Sequence, residues 1–333
     1  MSILSQRIFL QNLLRFLTSF IVLFSFVGCS QTQSLKEKPQ NTLAQQDVQI
    51  YTMSNTNAAV TPQSIEDAFT AVGLSVLGNN DMNKPFSKRF GKVHYKIYNL
   101  AMYTNNELSY KLLKKYPRFG ALTPLSMSIY SQNDTINIST LTLHGMARAT
   151  QIPSSDPDLI AYAALIQQAL KKALPEGHFK RVAYAPKHTN KSYQIDFTST
   201  VELANDEYIE DFIEDFEAEF EAEMEPYGFL FPNYINIQEE LFDAHDYKEY
   251  DFYHTYSICK FDVIFPVSKL HPEAGAWAPC SFYIYKKKGE KQMHMGFLGV
   301  ENWITTLNIQ DENSIKPLKE AQGMIVKILK EMI

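Results

Sequence analysis

The strongest constraint on this chain is that it repeats itself. Gly120-Ala121-Leu122-Thr123-Pro124-Leu125-Ser126-Met127-Ser128-Ile129-Tyr130 aligns with Gly275-Ala276-Trp277-Ala278-Pro279-Cys280-Ser281-Phe282-Tyr283-Ile284-Tyr285, with Gly, Ala, Pro, Ser, Ile and Tyr shared. A period of about 155 residues means one folding unit encoded twice. Upstream, Tyr95-x-x-Tyr98 with Tyr103 is read against Tyr253-x-x-Tyr256 with Phe261, Gly73 against Gly228, and Gln49-Ile50 against Gln194-Ile195. The copies then span residues 49–177 and 191–333, joined by a linker at 178–190.

Each copy carries the same element order. A strand (49–54; 193–200) precedes an amphipathic helix (62–72; 207–225) that stops at a glycine turn. A second strand and a variable segment lead to an aromatic-rich strand (94–103; 253–261). The repeated motif alternates with period 2: Leu125, Met127 and Ile129 point to one face, and Ser126, Ser128 and Tyr130 to the other. Cys280, Phe282 and Ile284 repeat the first set. Pro124 and Pro279 open these strands, where a missing ladder donor is tolerated, and Asn133-Asp134 and Lys288-Gly289 mark hairpin turns. A last helix closes each copy on Leu159, Ile166 and Leu170, or on Leu318, Ile325 and Leu329, with Pro157 and Pro317 near the starts. The fold class is α+β: two tandem domains, each a small, mainly antiparallel sheet covered by helices.

At these residues the chain resembles the domain of unknown function 302 family, in two copies. The resemblance implies an initial strand and helix, a strand leading into a helix, then a Pro-initiated strand and a hairpin. Family members often carry Asn-Pro where the aromatic strand meets its helix; here Tyr103-Thr104-Asn105-Asn106 and Ile264-Phe265-Pro266 stand instead. The resemblance implies no reaction and no catalytic residues.

The amino terminus reads as an export leader. Arg7 and Arg15 precede an apolar run of 12 residues from Phe16 to Val27, too short to span a bilayer, and then Gly28-Cys29. Gly28-Cys29 resembles a bacterial lipobox, which implies cleavage after residue 28 and acylation of Cys29. Uncleaved anchoring and simple secretory cleavage are the alternatives. Residues 29–48 are polar and lack apolar periodicity, as a flexible tether would. Ser30 after the lipidated cysteine resembles the pattern sorted to the outer membrane, facing the periplasm, with inner-membrane retention as the alternative. The body after residue 28 keeps 29 basic and 37 acidic groups, a net charge of −8. That charge excludes nucleic-acid binding by bulk electrostatics and leaves attachment to the bilayer to the lipid on Cys29.

Candidate chemistry is sparse. There is no Gly-rich phosphate loop, His-Glu-x-x-His, Cys-x-x-Cys or Gly-x-Ser-x-Gly, so no cofactor or metal is expected. His254 and Cys259 lie five apart on one strand and face opposite ways. His144, with Arg148 nearby, is the single histidine to test for proton transfer, against the commoner role of a hydrogen-bonded structural histidine. Cys259 and Cys280 are either a disulfide or two packed thiols. Twelve acids between 202 and 225 are interleaved with Ile209, Phe212, Ile213, Phe216, Phe220 and Met224, which is one apolar stripe with a solvated acidic face; cation binding or docking to a basic partner is the sharper alternative. The strand tyrosines pack across strands or offer a platform to a glycan or apolar ligand. The expectation is an envelope binding or assembly module rather than an enzyme, with an envelope protein or a small apolar or glycan ligand as partner. The alternative is a periplasmic enzyme acting on a small molecule or cell-wall fragment in the inter-domain groove.

Overall fold

The computed structural model describes residues 46–180, 193–203 and 208–333. The first copy builds β1 (Val48–Ser54), α1 (Pro62–Thr70), β2 (Ser75–Asp81), α2 (Asn83–Phe90), β3 (Tyr98–Thr104), α3 (Asn106–Lys115), a 3-10 turn (Pro117–Leu122), β4 (Leu125–Gln132), β5 (Thr135–Leu141), α4 (Leu143–Thr150), α5 (Pro157–Ala173) and β6 (His178–Lys180). The second builds β7 (Gln194–Thr200), α6 (Ile209–Met224), β8 (Leu230–Asn236), β9 (Tyr250–Cys259), α7 (Phe261–Leu270), a 3-10 turn (Pro272–Ala276), β10 (Cys280–Lys287), β11 (Gln292–Leu298), α8 (Glu301–Thr306) and α9 (Glu312–Met332). The sheets run β2-β3-β4-β5-β1-β6 and β8-β9-β10-β11-β7, antiparallel throughout. Apart from β6 they are the same sheet twice, so the α+β duplication read from the sequence is the architecture.

Local chemistry accounts for the ends. Thr61 caps α1 in a capping box with Ser64 and Pro62 at the first turn; Asn105, Asp156 and Asp311 cap α3, α5 and α9 through their side chains. Asn133 and Asp134 both take positive φ, as a two-residue hairpin joining Gln132 to Thr135 requires. In the acidic helix α6, Ile213, Phe216, Phe220 and Met224 are buried, the stripe expected from their spacing.

Several readings shift in register. Tyr98 pairs with Tyr130 and Tyr253 with Tyr285, so Tyr253 is the counterpart of Tyr98 and not of Tyr95. Tyr95 lies ahead of β3, and Phe261 opens α7 instead of ending the strand. Hydrogen-bond register, which aromatic spacing cannot encode, fixes the match. The second-copy corner falls at Cys259-Lys260, and Pro266 sits inside α7. Pro317 likewise lies inside α9, because Asp311 provides the cap. Residues 178–180, expected in the linker, form β6 and pair with β1. Residues 46–48, expected in the tether, belong to the fold, since Gln46 and Asp47 are buried and Val48 opens β1. Residues 1–45, Cys29 among them, lie outside the described residues.

The repeated motif is where the copies meet. The turn holding Gly275 lies on β4 and β5, and the turn holding Gly120 lies on β10 and β11. Ser126 Oγ donates to Pro279 O and Ser281 Oγ to Pro124 O, each at 2.8 Å, so one bond is made twice about a pseudo-two-fold axis. Ser128 Oγ donates to Pro272 O at 2.7 Å, and Tyr253 OH makes the matching bond to Pro117 O. The faces carrying Ser126 and Ser281 are thus the inter-copy faces, while Leu125, Met127 and Ile129 pack under the helices. Contact is too close for a side chain on either glycine: a Cβ on Gly120 would lie 2.3 Å from Tyr253 Oη, and one on Gly275 would lie 2.4 Å from Ser128 Cβ. We expect Gly275→Ala to destabilise the protein by about 1–3 kcal/mol through overpacking. Gly323→Ala, in open space on α9, should stabilise by up to about 1 kcal/mol. Urea unfolding of both variants measures the contrast.

Candidate functional site

Two places gather functional groups. The first forms where the starts of β1 and β7 approach α4 and α8. Thr142 N donates to Asp47 O and Gly299 N to Tyr193 O, which makes Asp47 and Tyr193 counterparts and moves the match of the first strands by one residue from Gln49/Gln194 to Val48/Gln194. His144 Nδ1 lies 2.8 Å from Asp47 Oδ1. Arg148 Nε and Thr306 Oγ1 each donate to Asp47 Oδ2 at 2.8 Å, and Arg148 Nη2 donates to Thr306 Oγ1 at 3.0 Å. The Arg148 guanidinium sits 4.4 Å from the centroid of the Tyr193 ring. Thr306 and Tyr193 belong to the second copy, so this cluster also ties the copies together.

Asp47 is fully buried. Burial alone would raise its pKa, but the His144 hydrogen bond, the Arg148 charge and the Thr306 hydroxyl together hold it below the ordinary aspartate value. The arrangement orients His144 as an Asp–His pair does, with the ring edge partly exposed. Among the described residues no hydroxyl or thiol nucleophile is bonded to that ring, so the pair stands as an orienting lock. Because the folded pKa is depressed, its stabilisation is complete above the unfolded aspartate pKa and is lost as pH falls through the lower folded value. Asp47→Asn should cost about 3 kcal/mol at neutral pH by leaving Arg148 without its charge partner, and should flatten stability against pH below about 4. Chemical denaturation across pH 3 to 7 measures both.

The second place is an apolar slot between the second sheet and its helices, with a volume of about 60 Å³. Ile258, Cys280 and Phe297 line the sheet side, and Ile264, Trp303 and Ala321 the helix side, with the half-buried Lys260 and Gln322 as the polar lining. Cys259 and Cys280, the pair left open between disulfide and thiols, are free thiols here. Burial pushes each up to about 12, so they line the slot as neutral, weakly reactive groups.

In the first copy the corresponding positions carry large side chains. Ile258 stands opposite Cys280 as Tyr103 stands opposite Leu125, so Tyr103 occupies the position of Ile258. Aligning α5 and α9 on Leu159/Leu318 and Ile166/Ile325 places Tyr162 where the second copy has Ala321. Both tyrosines are buried: the hydroxyl of Tyr103 bonds Thr140, and that of Tyr162 accepts from Asn105 N at 2.8 Å. Two large plugs in one copy are small side chains in the other.

The chain matches the family model "Domain of unknown function DUF302" over residues 50–176 and again over 208–332. The chain belongs to the DUF302 family. Among solved structures, the crystal structure of an uncharacterized conserved DUF302 protein from Bacillus stearothermophilus is 14% identical, covering 37% of this chain and 97% of that one at a TM-score of 0.33. No curated protein matches.

The other sequence candidates of this DUF302 pair fall as follows. His254 is buried and bonds Glu217 of the acidic helix at 2.7 Å, and among the described residues no group of three or more His, Cys, Asp or Glu is placed to hold a metal. Tyr98, Tyr103, Tyr130, Tyr253, Tyr256 and Tyr283 are buried, so these rings pack across strands and present no exposed row to a sugar. No helix among the described residues is long and apolar enough to cross a membrane. Reading the sequence found His144 and Arg148 but placed Asp47 in the tether and missed the slot. Setting Ala321 beside Tyr162 was the signal that could have found it.

Proposed function

We propose that this tandem DUF302 protein is an envelope lipoprotein, held by acylated Cys29 to the periplasmic side of the outer membrane, and that its body is a binding or assembly module whose second-copy slot takes the apolar part of a ligand. The observation that carries the binding reading is the divergence around the slot: Ile258 and Ala321 leave open what Tyr103 and Tyr162 fill. Apolar lining with a few polar groups at one side is the usual composition of a small-ligand pocket. The junction of the copies supports a module over an enzyme in the groove, because the opening lined by Ala121, Ser126, Trp277 and Ser281 is about 10 Å³, room for one water. Anchoring rests on Arg7, Arg15, the short apolar run and Gly28-Cys29. A second reading, proton-transfer chemistry at the inter-copy junction, is favoured by the Asp47–His144 contact alone.

Full-length protein isolated from membranes should carry an apolar molecule or bind an apolar fluorescent probe saturably. Ala321→Tyr should abolish that binding while the unfolding midpoint holds or rises, as expected for a filled cavity. Undiminished binding in Ala321→Tyr would place the ligand elsewhere. Cells fed labelled palmitate should label the wild type and not Cys29→Ser, and the variant should leave the membrane fraction. Label in the variant, or wild type in the soluble fraction, rejects the anchor.

A further inference from the structure

The two sheets differ at one edge. In the first copy β6 covers the outer edge of β1, with Ile50 opposite Lys180, Tyr51 opposite Phe179 and Thr52 opposite His178. The bonds that extend the β1–β5 register, Thr142 N to Asp47 O and Asn55 N to Asp134 O, both fall on odd-numbered residues of the first strand. Ile50 and Thr52 therefore turn their N–H and C=O outward, to β6. The second copy repeats the parity: Gly299 N donates to Tyr193 O and Val201 N to Lys291 O, both on the β7–β11 register. Asp196, Thr198 and Thr200 thus turn theirs outward, and among the described residues no strand pairs with them.

The counterparts say what is missing. With Asp47 matching Tyr193, Phe197 stands where Tyr51 stands. Tyr51 is 5% exposed, with the Phe179 ring 4.7 Å away, whereas Phe197 is only half-buried. Asp196 stands opposite the position that Lys180 fills in the first copy, but its carboxylate is already taken, pairing with Arg118 and accepting from Tyr283 Oη, each at 2.7 Å. Toward the far end of β7, Ser199 and Thr200 share a depression with Glu202 and with Asp215 and Glu219 of α6.

We infer that the outer edge of β7 is a strand-addition site for an extended partner segment with an aromatic residue flanked by basic ones, the aromatic ring lying on Phe197 and basic side chains facing the depression of Glu202, Asp215 and Glu219. Backbone pairing supplies affinity in this mode, and the alternate side chains supply choice of partner. The acidic lining selects for the basic flanks. This edge is separate from the slot, so the two proposals stand or fall independently.

The probe is a fluorescent synthetic peptide copying residues 177–182, Gly-His-Phe-Lys-Arg-Val, added to the full-length protein in detergent. Saturable anisotropy, weakened by salt and lost when the peptide phenylalanine becomes aspartate, is expected. Thr198→Pro removes an N–H that points away from β11, so it should keep the unfolding midpoint and cut peptide affinity at least about tenfold. If Thr198→Pro fails to fold, Phe197→Ser serves, with a several-fold loss expected. Equal affinity in both folded variants, or no saturable binding to the wild type, overturns the proposal. So does a self-associated wild type that Thr198→Pro returns to monomer without any peptide effect, which would make the edge a contact between two copies of the chain.

Discussion

The structure depends on the close seating of each Gly-Ala…Pro turn on the sheet of the other copy. Sheets need both faces covered or solvated, and here each serine-bearing face is covered by the partner's turn. The reciprocal Ser126–Pro279 and Ser281–Pro124 bonds satisfy polar groups that this burial would otherwise strand. Gly120 and Gly275 permit the approach because nothing projects from them. The Gly, Pro and Ser shared by the two motifs mark a contact used twice.

Around that contact the copies are free to differ. The first spends tyrosines to fill its core, places Asp47 beneath His144 and Arg148, and covers its sheet edge with β6. The second replaces the two plugs by Ile258 and Ala321, has no β6 among the described residues, and carries the acidic helix beside β7. One copy is closed at each place where the other is open. A duplicated fold reaches such a division of labour cheaply, since the shared junction supports both halves while the second core gives up some packing.

The Asp47 cluster shows how a buried charge earns its position. A carboxylate with no exposure is costly unless its oxygens are satisfied, and here His144, Arg148 and Thr306 satisfy both. Because Thr306 and Tyr193 come from the other copy, the same bonds that keep the charge tolerable fix the copies in register at their strand starts.

The sequence by itself determined the repeat, the α+β class, the order of elements and the faces of β4 and β10, because periodicity and turn chemistry are local and leave local marks. It also set His144 beside Arg148 after the first hairpin. Tertiary structure alone decided that Tyr253 answers Tyr98, that Asp47 belongs to the fold, and that Pro317 and Pro266 lie inside helices. Hydrogen-bond register and helix caps set those matches, and spacing along one strand does not encode them. The slot left one mark in the sequence, Ala321 where the first copy has Tyr162, but the edge of β7, unpaired among the described residues, was beyond it: that edge is a difference between two placements in space, visible only when β6 is seen on one sheet and not on the other.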